Sequence, residues 1–139
     1  MIRTNLISVI TCVYNQRCDL FLDCAQSVAR QTGPVEWIII DDGSDAEFRE
    51  GYNNCLENFP AEIDVKMLRI PRNIGLSQAR NRGLSLASGD WIVVLDSDDY
   101  LASTLGHSLR QLPSEAALAC FAVRYFSEVD AEYRFISRW

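Results

Sequence analysis

Apolar residues come in short blocks along this chain, and polar residues close each block. "LISVITCVYN", Leu6 to Asn15, is a β-branched run with a polar end, the pattern of a buried strand. In "CDLFLDCAQSVARQTG" the period changes. Leu20, Phe21, Cys24, Ala25 and Val28 recur at helical spacing, and Gly33-Pro34 stops the run. "VEWIIIDDGSD" predicts a second strand ending in a turn, with Ser44 or Asp45 placed to cap a helix through Phe48 to Leu56. "IDVKMLRI", closed by Pro71, predicts a third strand. "NIGLSQARNRGLSLASGD" predicts a helix with Leu76, Ala79, Gly83, Leu86 and Ala87 on one face. "WIVVLDSDD" predicts the fourth strand, "STLGHSLRQL" a helix weakened by Gly106, and "ALACFAVRYF" a late strand.

The resulting order, β-α-β-α-β-α-β-α-β, implies an α/β fold with a mainly parallel sheet and helices on both faces. A chain of 139 residues fits one domain, 1–139. In such sheets ligands bind outside the carboxyl ends of the strands, near a switch in strand order. That places two groups of acids, Asp41, Asp42 and Asp45, then Asp96, Asp98 and Asp99, at a wet crevice rather than in the core.

Charge and composition narrow the chemistry. The formal charge is −6, from 13 basic and 19 acidic residues, which argues against a nucleic-acid partner. Five cysteines without a CxxC pair indicate neither a disulfide framework nor a zinc site, and Cys12 and Cys120 read as small core residues. His107 is the single histidine, so a histidine-based triad or a multi-histidine metal site is hard to build. No apolar run reaches the roughly 18 residues of a membrane span, and the N-terminus lacks a signal-peptide pattern. A soluble, cytoplasmic chain is the expectation.

Four stretches carry candidate chemistry. Asp96 and Asp98 share a face if the backbone stays extended, and a turn can add Asp99. Unpaired, such groups repel; a hard divalent cation, Mn2+ or Mg2+, relieves them through oxygen coordination. An alternative is a helix cap with exposed acids, Asp99 being the cap. In "IIIDDGSD", Gly43 permits a sharp turn behind two strand-end carboxylates, although an ordinary strand-turn-helix connection explains Gly43, Ser44 and Asp45. In "RNIGLSQARNRG", Arg80 and Arg82 stand about 200° apart on a helix. One can face the sheet end, where an arginine suits a diphosphate; the other faces solvent. Tyr14, behind the first strand, offers a ring for stacking or for packing over the strand end.

Together, "SVITCVYN", "IIIDDGSD", "NIGLSQARNRGL" and "WIVVLDSDDYL", spanning Ser8 to Leu101, resemble the N-terminal part of a family 2 glycosyltransferase of the Rossmann-like GT-A fold. The resemblance implies inverting transfer from a nucleotide-diphosphate sugar, most commonly a UDP-sugar, to a saccharide or lipid-linked acceptor. It implies that Tyr14 lies against the base and that Asp41 accepts from the base imino N–H. Cys12, Asn15, Asp42, Asn73, Gly75 and Ser97 fall within the matched motifs around the nucleotide, with Arg80 near its phosphates. Asp96 and Asp98 then serve the ribose and the metal, Asp98 as direct ligand and Asp99 as a further candidate.

Family 2 enzymes usually continue past this length, with the acceptor site and a catalytic carboxylate in the later part. The expectation is therefore a truncated, donor-binding half, with Glu128 and Asp130 the only late acidic candidates within a strand-loop context and no catalytic base assigned. Apolar surface left by a missing half, and the terminal "FISRW", would favour a homodimer. A full-length protein could associate peripherally with the inner face of the membrane. Two other readings stay open: a non-catalytic nucleotide-sugar-binding module, and a haloacid-dehalogenase-like phosphatase with Asp96 as nucleophile. The phosphatase motif normally sits on the first strand and expects a later lysine, whereas the one lysine, Lys66, lies upstream.

Overall fold

The computed structural model describes residues 5–113, 115–116, 123–125 and 134–136. The elements in order are β1 (Ile7–Val13), α1 (Cys18–Ala29), β2 (Val35–Asp41), α2 (Ala46–Leu56), β3 (Asp64–Arg69), α3 (Leu76–Leu86), β4 (Trp91–Val94), α4 (Leu105–Arg110), β5 (Val123–Tyr125) and β6 (Arg134–Ile136). β1 to β4 form one parallel sheet in the order β3-β2-β1-β4. β5 and β6 pair antiparallel in a sheet of their own, so the late strand joins a hairpin rather than the main sheet. Cys120, Glu128 and Asp130 lie outside the described residues.

Two apolar clusters show why β1 and β2 read as continuous hydrophobic runs: each strand is buried on both faces. Ile7, Val9 and Val13 of β1 and Val35, Trp37 and Ile39 of β2 pack against Phe21, Cys24, Ala25 and Val28 of α1, Tyr52 of α2 and Leu109 of α4. Phe21 stacks on Trp37 with ring centroids 5.8 Å apart, and Trp37 Nε1 donates to Thr11 Oγ1 at 2.9 Å. The alternate residues, Ile10, Ile38 and Ile40, meet Ala79 of α3 on the other face. Fully burying one such aliphatic side chain contributes about 1.5–3 kcal/mol, so these two layers dominate the fold.

The buried stripe of α3 is narrower than its pattern predicts. Ala79 and Gly83 are buried, whereas Leu76 and Leu86 are exposed. Gly83 is the reason: a Cβ there would lie 2.5 Å from Ile10 Cγ2. The helix sits so close to β1 that only small residues fit beneath it, and the leucines fall on its flanks.

At the N-terminal end of the sheet Glu36 is buried. Its carboxylate accepts from Ser8 Oγ (2.5 Å), Ser88 N (2.6 Å) and Lys66 Nζ (2.6 Å). Burial alone would raise its pKa, but the hydrogen bonds from Lys66, Ser8 and Ser88 outweigh it and hold the group at about 2.

The sheet order turns at β1. β2 and β3 extend to one side and β4 lies on the other, so the crevice between the ends of β1 and β4 is the topological switch point.

Candidate functional site at the carboxyl edge of the sheet

The segments leaving β1, β2 and β4, and the one entering α3, are tied to one another by polar contacts. Behind β1, Asn15 adopts φ 46°, a left-handed conformation that asparagine tolerates better than most residues. Its N–H donates to Ser44 Oγ (3.0 Å), its Nδ2 to Asp45 Oδ2 (2.9 Å), and its Oδ1 accepts from Asp45 N (2.8 Å). These bonds explain why neither Ser44 nor Asp45 caps α2 with its side chain. Both are turned toward Asn15, fastening the β1 and β2 ends together.

The turn after β2 is joined to α3. Gly43 has φ 82°, and a Cβ there would lie 2.5 Å from Asn73 N. Two requirements, positive φ and close backbone approach, therefore meet at this glycine. Asp42 accepts from the backbone N–H of Ile74 (2.8 Å) and Gly75 (3.0 Å), and Asn73 Oδ1 also accepts from Gly75 N (3.1 Å). Asn73 and Gly75 thus shape the approach to α3.

α3 reaches β4 through Arg80, whose Nη2 donates to Asp96 Oδ1 at 2.6 Å. Arg82 is exposed, so the two arginines divide between the strand ends and solvent. β4 returns to β1 through Ser97, whose Oγ donates to Gln16 Oε1 at 2.9 Å; Gln16 N donates to the Tyr52 hydroxyl at 2.7 Å. The circuit closes: β1 to β2, β2 to α3, α3 to β4, and β4 to β1. Gln16 and Tyr52 were not singled out in the sequence, where an isolated Gln and a helical Tyr carry no local signal of linking strand ends.

Tyr14 leaves this frame uncommitted, 54% exposed. Cys12 lies beneath it on β1, electrostatically coupled to Arg80, Asp42 and Asp96. Burial outweighs Arg80 and lifts the thiol to about 11, so Cys12 stays protonated at neutral pH and is no nucleophile. Asp41 is fully buried. Its Oδ1 accepts from Ser44 N (2.9 Å), and its Oδ2, which has no hydrogen-bond partner, faces Arg49 Nε at 3.5 Å and Arg69 Nε at 4.0 Å. Arg49 and Arg69 were also missed; a basic residue at the end of β3, in register with Asp41, was the available signal.

Asp96, Asp98 and Asp99 are exposed, and Asp98 and Asp99 form no ion pair with a described residue. Asp99 N donates to Asp96 O, so the three acids share a turn. α4 starts after Thr104, so Asp99 is not its cap. Burial, then Asp98 and Asp96, raise the Asp99 carboxyl above its ordinary value. No group of three or more His, Cys, Asp or Glu converges as a ready metal site among the described residues. The donor chemistry still fits a hard divalent cation: accessible carboxylates, close enough to repel, while burial holds the neighbouring thiols Cys12 and Cys24 protonated. No helix among the described residues is long and apolar enough to cross a membrane.

Comparison with known proteins follows the same lines. The family described as "Glycosyl transferase family 2" matches residues 8–139. An uncharacterized glycosyltransferase of Haemophilus influenzae is 40% identical over 98 residues, covering 70% of this chain and 38% of its own length. The chain spans about a third of the length of the curated relatives it matches. Among solved structures, S. aureus TarS 1–349 in complex with UDP superposes with a TM-score of 0.58 at 27% identity, covering 75% of this chain and 31% of that one. The mannosyltransferase PcManGT from Pyrobaculum calidifontis, solved with GDP-Man and Mn2+, gives a TM-score of 0.69 at 21% identity over 78% of this chain and 32% of that one, a likeness of fold. The architecture is that of the GT-A glycosyltransferases, as expected.

Proposed function

Because the chain belongs to glycosyl transferase family 2, we propose that it is the donor-binding part of an inverting glycosyltransferase, taking a nucleotide-diphosphate sugar, with a UDP-sugar the first choice. The observation that carries this reading is the meeting of an arginine with three exposed carboxylates at the β1/β4 switch point: Arg80 on Asp96, with Asp98 and Asp99 beside them. Such a group suits an anion and a cation bound together.

In this reading the exposed Tyr14 ring stacks on the base. The base edge falls to Asp41, whose Oδ2 is a buried carboxylate oxygen lacking a hydrogen bond; Arg49 and Arg69 must shift to admit it. Asp42, Asn73 and Gly75 hold the approach to α3, while Asn15, Ser97 and the neutral Cys12 keep the strand ends in place. Asp98 and Asp96 hold the divalent cation, Mn2+ or Mg2+, with Asp99 able to join. When bound, the cation supplies positive charge against the departing diphosphate. Arg80 adds a fixed donor for the same charge, which grows as the sugar leaves. The acceptor in this reading is a saccharide or lipid-linked molecule, and no residue is assigned as the base that deprotonates it.

Calorimetric titration with UDP and with GDP, each with and without Mn2+, tests the reading. Cation-dependent binding, stronger for UDP and lost in Asp98→Ala, is expected. Cation-dependent affinity that survives the substitution removes Asp98 from the ligand set. The phosphatase reading loses support because the Asp96 carboxylate is engaged by Arg80 and β4 is the fourth strand of the chain.

A further inference from the structure

We propose that Arg80 is the resident counter-ion of the cation site, holding Asp96 while the site is empty and exchanging it for the donor's diphosphate as the cation and nucleotide bind. The inference rests on the donor-binding reading above and adds an order of contacts to it.

The four links of the strand-end circuit differ in kind. Asn15 to Asp45, Asp42 to Ile74 and Gly75, and Ser97 to Gln16 each pair at most one charged group with a neutral one. Arg80 to Asp96 pairs two formal charges, and both side chains are partly exposed, 35% and 55%. A pair that water reaches holds with little net energy, so it opens at small cost. In that reading Asp96 is also a carboxylate of the cation, and Arg80 holds one of its two oxygens, Oδ1. The guanidinium offsets the negative charge that attracts the cation, so the link opposes loading, and a cation that draws in both oxygens breaks it.

What surrounds Arg80 makes the exchange workable. Its backbone is fixed: Ala79 is buried against the sheet, and the segment before α3 is held by Asp42. The long side chain beyond that anchor is free to swing between two anions. Cys12, half-buried nearby, stays a neutral thiol and offers the guanidinium no charge. One guanidinium against three carboxylates leaves the empty site negative, which favours arrival of the cation before a free diphosphate. Once Asp96 turns to the cation, the released guanidinium faces the diphosphate and can donate two parallel hydrogen bonds to it.

The two halves of the exchange give Arg80 effects of opposite sign. Arg80→Gln and Arg80→Lys are titrated with Mn2+ alone, read as free Mn2+ by electron paramagnetic resonance, and then with UDP and GDP at saturating Mn2+ by calorimetry. Circular dichroism verifies the fold of each variant. Without nucleotide, Arg80→Gln should bind Mn2+ about two- to fivefold more tightly than wild type, the range expected for losing an exposed ion pair. With Mn2+ present, it should bind the nucleoside diphosphate about tenfold more weakly, as for loss of a charge-assisted hydrogen bond. Arg80→Lys keeps the charge, so its Mn2+ affinity should stay within about twofold of wild type. A merely structural arginine would weaken both affinities together, and that outcome overturns the proposal. So does Mn2+ affinity that is unchanged in Arg80→Gln. In either case cation-dependent UDP or GDP binding by the wild type leaves the donor-binding reading standing. Wild-type protein that binds neither Mn2+ nor nucleotide overturns both.

Discussion

At the N-terminal end of the sheet Glu36 receives hydrogen bonds from Ser8, Ser88 and Lys66 and is 2% exposed. At the C-terminal end Asp96, Asp98 and Asp99 stand in solvent, and among the described residues one guanidinium, that of Arg80, pairs with Asp96 alone. Both ends collect charge, but the energetics run in opposite directions. Taking a carboxylate out of water costs several kcal/mol, and only a full set of partners offsets it. Glu36 has that set, so it stabilises the fold and has no capacity left for a ligand. The three aspartates pay little for solvation and gain little from one another, which in the proposed reading leaves them open to a cation. Satisfied charge marks structure and unsatisfied accessible charge marks the site.

The largest expected effect comes from emptying the satisfied end. Glu36→Ala should lower the unfolding free energy by about 3 kcal/mol or more, because Ser8, Ser88 and Lys66 lose a common acceptor in a buried setting. Urea unfolding followed by tryptophan fluorescence measures it. A loss under about 1 kcal/mol would mean the network is replaceable by water, and the contrast between the two ends would collapse.

Acid should produce a related change. The Glu36 carboxyl sits at about 2 in the folded chain against an ordinary 4.5. A lowered folded value means its contribution is complete above 4.5 and is lost as pH falls from 4.5 toward 2. The full amount is about 3 kcal/mol. Unfolding free energies across that window should fall more steeply in wild type than in Glu36→Gln, which cannot titrate. Identical slopes would assign the acid sensitivity to other carboxylates.

Between the two ends lies the packing that keeps them apart. Gly83→Ala should destabilise by about 1–2 kcal/mol: the added methyl has to displace Ile10, and the gain in helix propensity offsets only part of that. Because α3 carries Arg80, the same change should also weaken nucleotide binding. Unfolding and calorimetry on one variant test both; lost stability with unchanged binding would show that Arg80 tolerates a shifted helix.

How far the two ends could be read in the sequence follows from where their partners lie. The acidic edge was legible because Asp96, Asp98 and Asp99 are neighbours in the chain, and because strand-helix alternation places strand ends at a ligand crevice. The parallel sheet and its two helical layers were legible for the same reason, local periodicity. Glu36 was not: in "VEWIII" it interrupts a strand, and its partners are 28, 52 and 30 residues away. The pairing of Asn15 with Asp45 was not legible either, since it depends on a left-handed backbone no pattern announces. The overestimate of the α3 stripe has a different cause. Helical periodicity counts apolar residues on a face, while the distance to the sheet, set by Gly83, decides which of them are covered.

The smallest stability effect is expected at the site itself, and its sign is the informative part. Asp98→Asn removes one of the charges that raise the Asp99 carboxyl and leaves no buried partner behind. The change in unfolding free energy should stay within about 0.5 kcal/mol, and toward greater stability, since like charges in one turn are separated. Cation-dependent nucleotide binding should nevertheless fall sharply. A site that gains stability on losing a carboxylate, while losing its ligand, is one in which repulsion is tolerated for the sake of binding. If Asp98→Asn instead destabilised the chain by more than about 1 kcal/mol, Asp98 would have a structural partner that the folded geometry does not provide, and the acidic turn would belong with Glu36 rather than opposite it.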